Sequence, residues 1–146
     1  MDKPIASKGC SRILFFAVQF TWGLTVNLAG LLVFLCLGSS RRRVFHNSII
    51  SFLPGNRGGL SLGVFIFVSA QGSDTDRLCA HEYGHTVQCL FLGPLYWPLV
   101  LIPSALWYHF FAGFRCRRHV PYDSLYCERL ATAWGEKWSG VKGHLP

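Results

Sequence analysis

Apolar and polar positions along the chain fall in blocks. Residues 13 to 40, ILFFAVQFTWGLTVNLAGLLVFLCLGSS, carry no charged side chain. The run exceeds the roughly 20 residues a helix needs to cross a hydrocarbon core, and predicts an N-terminal transmembrane helix. A cleaved signal peptide would have a shorter apolar region, about 7 to 15 residues, without an Arg triplet at its end. Gln19 and Asn27 inside the run are expected to face protein, because an unpaired amide in hydrocarbon is costly.

From 44 to 70 the pattern changes. FHNSIISFL and LSLGVFIFVS, rich in β-branched and aromatic residues, flank PGNRGG and predict a β-hairpin. The arm Leu62 to Val68 is apolar on both faces apart from Gly63, and should pack against another element or lie at the membrane surface. SDTDR at 73 to 77 offers helix-capping residues and acids, and Gly93-Pro94 offers a stop, predicting a helix over 74–92. Residues 95–114 form a second apolar stretch, read as a membrane segment kinked by Pro98 and Pro103. RCRRH closes it, and Pro121 opens a C-terminal helix over 121–138. The expected fold is one mainly α, membrane-embedded domain over 1–146. It comprises a transmembrane helix (13–40), a short β-hairpin (44–70), a helix over 74–92, a Pro-kinked apolar helix (95–114) and the C-terminal helix.

Composition strengthens the membrane expectation. Of 146 residues, 51% are hydrophobic and 14% charged, against roughly 25% charged in soluble domains. So few charges cover a soluble surface poorly, which makes a lipid bilayer the expected partner, and so apolar a chain is not disordered. The net charge of +7 raises nucleic acid as an alternative. The basic residues, however, sit in blocks at the ends of apolar stretches (Lys3, Lys8 and Arg12; Arg41 to Arg43; Arg115, Arg117 and Arg118), the placement of head-group contacts, so no nucleic-acid partner is expected. If 86–114 turns back at Gly93-Pro94, three Lys and Arg precede the first segment and the other 11 follow it on one side. The positive-inside rule makes that side cytoplasmic. Six cysteines without CxxC spacing indicate neither a disulfide framework nor a zinc ribbon.

The chemistry lies in His81-Glu82-Tyr83-Gly84-His85, an HExxH motif inside the predicted 74–92 helix. Residues four apart share a helical face, so both imidazoles can reach one Zn²⁺ at about 2.0 to 2.1 Å. Glu82 then stands beside the metal as a general base that can move a proton from water to a leaving amine. A third ligand is required, and Glu128, Asp123 and a histidine (His119 or His109) compete for the role. Cys89 shares the histidine face but lies about 12 Å along the axis from His81, too far to join them. Tyr122, Tyr126 or His119 could donate a hydrogen bond to an oxyanion.

HEYGHT resembles the zincin metallopeptidases. More closely, the chain is similar to small bacterial integral membrane proteins that carry HEYGHTxQ, an apolar GPLY stretch and a terminal helix around Tyr-x-x-Glu. Here these are His81 to Gln88, Gly93 to Tyr96 and Leu125 to Gly135, within residues 60–138. The resemblance implies a gluzincin arrangement in which Glu128 is the third zinc ligand. It also implies a place in the bacterial cytoplasmic membrane with the site near the cytoplasmic face. Where that group often carries an aspartate that orients a ligand histidine, four residues on, this chain has Thr132, whose hydroxyl could serve. The resemblance further implies that an extended substrate lies against the Leu62 to Val68 strand, if that edge is free. The expected activity is zinc-dependent cleavage of a peptide or membrane-protein substrate. The alternative is a non-catalytic membrane protein holding zinc for a structural or interaction role.

Overall fold

The computed structural model describes residues 5–37, 41–55, 58–69 and 75–141. Its elements are α1 (Ile5–Thr21), α2 (Leu24–Cys36), β1 (Arg41–Phe45), β2 (Ser48–Leu53), β3 (Gly59–Leu62), β4 (Phe65–Ser69), α3 (Thr75–Leu92), α4 (Ile102–His109), α5 (Ala112–Arg118) and α6 (Tyr126–Ser139). Ser73 and Asp74, expected to cap α3, and Lys3 lie outside the described residues, as do the side chain of Lys8 and Arg57 of the PGNRGG cluster.

Among the described residues no single helix is long and apolar enough to cross a membrane, which overturns the expected N-terminal transmembrane helix. The run is two helices, bent by 89° at Trp22-Gly23. Its buried amides explain the break. The Asn27 Nδ2 group donates to the Gln19 and Gly23 carbonyls and to Gln19 Oε1, each at 2.9 Å, while Asn27 Oδ1 accepts from the Val64 amide at 2.9 Å. Gln19 Nε2 reaches the Thr86 carbonyl on α3 at 2.9 Å. Straightening the run would strip these groups of their partners. The Thr21 hydroxyl also donates back to the Ala17 carbonyl at 2.7 Å, a contact that bends helices.

The stretch 95–114 is likewise not one kinked helix. A 3₁₀ turn (Gly93–Leu95) leads into a π-helical turn (Trp97–Leu101) holding Pro98, and a bend of 66° falls at Phe110-Phe111 between α4 and α5. Pro98 has no N–H to give the helical ladder, and the turn widens there. Pro103 sits in the first turn of α4, where a missing N–H costs little.

The expected single hairpin is instead a four-stranded sheet of order β1-β2-β4-β3. Each predicted arm folds back on itself through a two-residue turn, His46-Asn47 in the first and Gly63-Val64 in the second, and both His46 and Gly63 have positive φ. The inner strands then pair in parallel, with Ile50 opposite Ile66. A β-carbon at Gly63 would lie 2.2 Å from Asn27 Oδ1, so the turn needs glycine for both conformation and space.

Helix α3 packs on this sheet, where Ile50, Ile66 and Val68 meet Cys79, Tyr83 and Val87 in one core. A second core joins Val26, Phe65, Phe67, Cys89, Tyr96 and Cys127. On the other side α6 crosses α3 almost backbone to backbone. A β-carbon at Gly84 would come 1.9 Å from the Ala131 carbonyl oxygen, and one at Gly135 would come 2.1 Å from that of Ala80. This close crossing brings the first turn of α6 over the middle of α3.

Candidate metal centre

The crossing places His81, His85 and Glu128 together, all buried, each offering a ligand atom within 4.8 Å of the others. The imidazole rings stand 5.0 Å apart and nearly perpendicular. Glu128 Oε2 lies 3.0 Å from His81 Nε2 and 3.4 Å from His85 Nε2. Its second oxygen, Oε1, is buried without a hydrogen bond. An orphaned carboxylate oxygen beside two imidazole nitrogens is a donor set compatible with a metal ion.

The far side of each ring is held. His81 Nδ1 is 3.0 Å from the Thr132 hydroxyl. His85 Nδ1 is 2.7 Å from Gln88 Oε1, and the amide nitrogen of Gln88 donates to the Cys127 carbonyl at 2.8 Å. Gln88 is the orienting residue that the sequence reading passed over. Its signal was present, since Gln88 lies three residues after His85 on the same helical face.

Electrostatics follow from burial and proximity. Burial alone would raise the Glu128 carboxyl, but its hydrogen bonds and attraction to the two histidines outweigh that and hold it well below the usual carboxylate range. Burial likewise disfavours a charged His85, yet Glu128 more than compensates and lifts the ring to about 9. Glu82 has no such hydrogen bonds among the described residues, and burial raises its carboxyl above the ordinary value against the attraction of His85 and His81.

Glu82 points into a cavity of about 30 Å³, room for a water molecule or two, bounded by Gly59, Ser61, His85, Tyr96, Ser104 and Tyr122 among others. A β-carbon at Gly59 would lie 2.2 Å from Glu82 Oε1, so the carboxylate rests against bare backbone of β3. That strand is fixed to the site by the Tyr96 hydroxyl, which donates to the Ser61 carbonyl at 2.9 Å, and by the Ser61 and Thr86 hydroxyls, 3.1 Å apart. β3 ends the sheet, and of its residues only Gly59, against which Glu82 rests, and Leu60 are exposed.

The remaining candidates lie elsewhere. Tyr126 is half-exposed and its hydroxyl donates to the Leu99 carbonyl. His119 is exposed in the left-handed C-cap of α5, and His109 is exposed at the end of α4. Asp123 is partly buried outside the cluster, and Cys89 is buried in the second core. Tyr122 alone among the oxyanion candidates lines the cavity, its ring 6.4 Å from that of His81. Comparison with known proteins returns no match, whether to a family model, a curated protein or a solved structure.

Proposed function

We propose that the protein is a zinc-dependent metallopeptidase of gluzincin-like type, with His81, His85 and Glu128 holding the metal and Glu82 as general base. The observation that carries this reading is Glu128 Oε2 at 3.0 and 3.4 Å from the two Nε2 atoms, with Glu82 alongside in a cavity sized for water. Those separations match the edge of a tetrahedron with ligand bonds of about 2.0 to 2.1 Å, roughly 3.3 Å. Zinc held there would polarise a carbonyl oxygen and acidify water.

The chain's own residues supply the rest. An extended peptide pairs with the exposed Gly59–Leu60 end of the β3 edge, which sets its carbonyl beside Glu82. Glu82, its proton affinity raised by burial, takes a proton from water in the cavity as the water oxygen bonds to the carbonyl carbon, and passes it to the amine nitrogen as the C–N bond breaks. Tyr122 donates a hydrogen bond to the carbonyl oxygen as negative charge develops there. Gly59 leaves the space in which Glu82 lies.

A structural zinc site is the second reading, and the small size of the cavity favours it. Against it, among the described residues no fourth His, Cys, Asp or Glu joins the cluster, as closed structural sites require. Metal analysis and peptide cleavage decide together. About one zinc per chain is expected in the wild type and in Glu82→Gln, with loss in His81→Ala and Glu128→Ala. Cleavage of a mixed fluorogenic peptide library by the wild type, abolished in zinc-replete Glu82→Gln, is the catalytic result. Zinc retained by Glu128→Ala would overturn the ligand set, and equal inactivity of the zinc-loaded wild type would favour the structural reading.

A further inference from the structure

We infer that the two bent helix pairs, α1 with α2 and the Trp97–Leu101 turn and α4 with α5, form one surface that seats in a single leaflet of a bilayer rich in anionic head groups. The two pairs meet where Trp97 Nε1, at the start of the second, donates to the Thr25 hydroxyl of α2 at 3.3 Å, while Trp22 Nε1 at the first bend donates to the Phe91 carbonyl near the end of α3 at 3.3 Å. Both pairs turn large apolar side chains outward: Leu32 is 67% exposed, Leu35 65% and Phe110 78%. Each pair has the joint hydropathy of a membrane segment, but neither is straight. The 13-residue α2 reaches about 20 Å against a hydrocarbon core of about 30 Å, so these helices enter a bilayer without crossing it.

The choice of lipid comes from charge placed at the margins of that surface. The Arg42 guanidinium lies 4.0 Å from the ring of Phe34 on α2, and the partly buried Arg115 lies 5.6 Å from the ring of Trp107 on α4 and 5.0 Å from that of Tyr122. These contacts hold cations at the borders of both apolar faces, the level at which head groups begin. Arg41 extends the first block, and Arg117 and Arg118 extend the second, all exposed. Arg43 is partly neutralised by Asp76 at 2.8 Å. Phosphate-bearing anionic lipids complement such borders, each engaged guanidinium strengthening attachment about fivefold.

The inference does not depend on the metal reading, and the test keeps them apart. Full-length protein, diluted from detergent onto preformed vesicles, is floated with phosphatidylcholine alone or mixed with phosphatidylglycerol. The expected result is flotation with both, tighter on the mixed vesicles at low salt. The preference should shrink in R41Q/R42Q and in R117Q/R118Q while zinc content stays unchanged. An impermeant maleimide added outside should label Cys36 and Cys116 alike, since these two, the exposed cysteines among the described residues, lie at the ends of segments that do not cross. Equal binding to neutral and anionic vesicles, or no flotation with either, would overturn the lipid assignment. Labelling of only one of the two cysteines would overturn the one-leaflet arrangement.

Discussion

Gln88 sets the proton position on His85. Because its amide nitrogen is committed to the Cys127 carbonyl on α6, its oxygen faces His85 Nδ1 at 2.7 Å, and that nitrogen must be the one carrying hydrogen. Nε2, on the Glu128 side, is thereby the nitrogen left to bind a metal once its own proton is displaced. Replacing Gln88 with Leu should keep the fold but weaken zinc binding about 10- to 100-fold, measured by competition with a chromophoric chelator. An unchanged affinity would show that packing alone orients the ring.

Metal-free protein should have a pH dependence that the metal removes. His85 binds its proton more tightly in the folded state, at about 9 against an ordinary value near 6.5. Between those values the folded chain holds more protons than the unfolded one, so stability is full below about 6.5 and falls as pH rises toward 9. Glu128 acts in the opposite sense, its contribution fully present above the ordinary carboxylate range and lost as pH falls from there through its lowered folded-state value. Denaturant midpoints with chelator present should therefore decline from pH 6.5 to 9. With saturating zinc, which displaces the proton, that decline should be flatter.

The α3–α6 crossing leaves no room for a methyl group. Gly84→Ala and Gly135→Ala should each destabilise by about 1 to 3 kcal/mol and lower zinc affinity as Glu128 is pushed away from His81. Gly113→Ala, on α5 with nothing within 4 Å of the added carbon, is the control and should stabilise by about 0.5 to 1 kcal/mol. Urea melts of the three variants separate close packing from helix propensity.

Thiol reactivity should divide the cysteines. Burial raises Cys79 to about 11 and Cys89 and Cys127 to about 12, whereas Cys36 and Cys116 are exposed. In detergent at pH 8, maleimide should modify Cys36 and Cys116 within minutes and leave the buried three intact until the chain unfolds. Mass spectrometry of peptides would read the pattern, and rapid labelling of Cys127 would mean that α6 opens from the site.

The local half of the site was legible in the sequence, and the distant half was legible only by resemblance. HExxH spacing puts His81 and His85 on one face of any helix, and Gly93-Pro94 marks where α3 stops. Nothing in the spacing of Glu128 says that α6 approaches α3 closely; that depends on Gly84 and Gly135 meeting opposing carbonyls, a relation between residues 51 apart. The straight first segment misled because hydropathy weighs Gln19 and Asn27 as minor interruptions, whereas their hydrogen bonds to Val64 and Thr86 dictate the bend. In the sheet, His46-Asn47 and Gly63-Val64 are each short enough to vanish inside an apolar arm, so four strands read as two.

The parallel seam between β2 and β4 bears on the order in which the molecule assembles. Each flanking hairpin closes through a two-residue turn, an event of about 1 to 10 μs, but the seam joins strands that no turn connects and must wait for both. Helix α3 has its full seat only on the finished sheet, and the ligands meet only once α3 is seated. A metal held by these ligands would therefore bind after the seam has formed. Refolding should proceed at the same rate with or without the metal, which would act instead as a brake on unfolding.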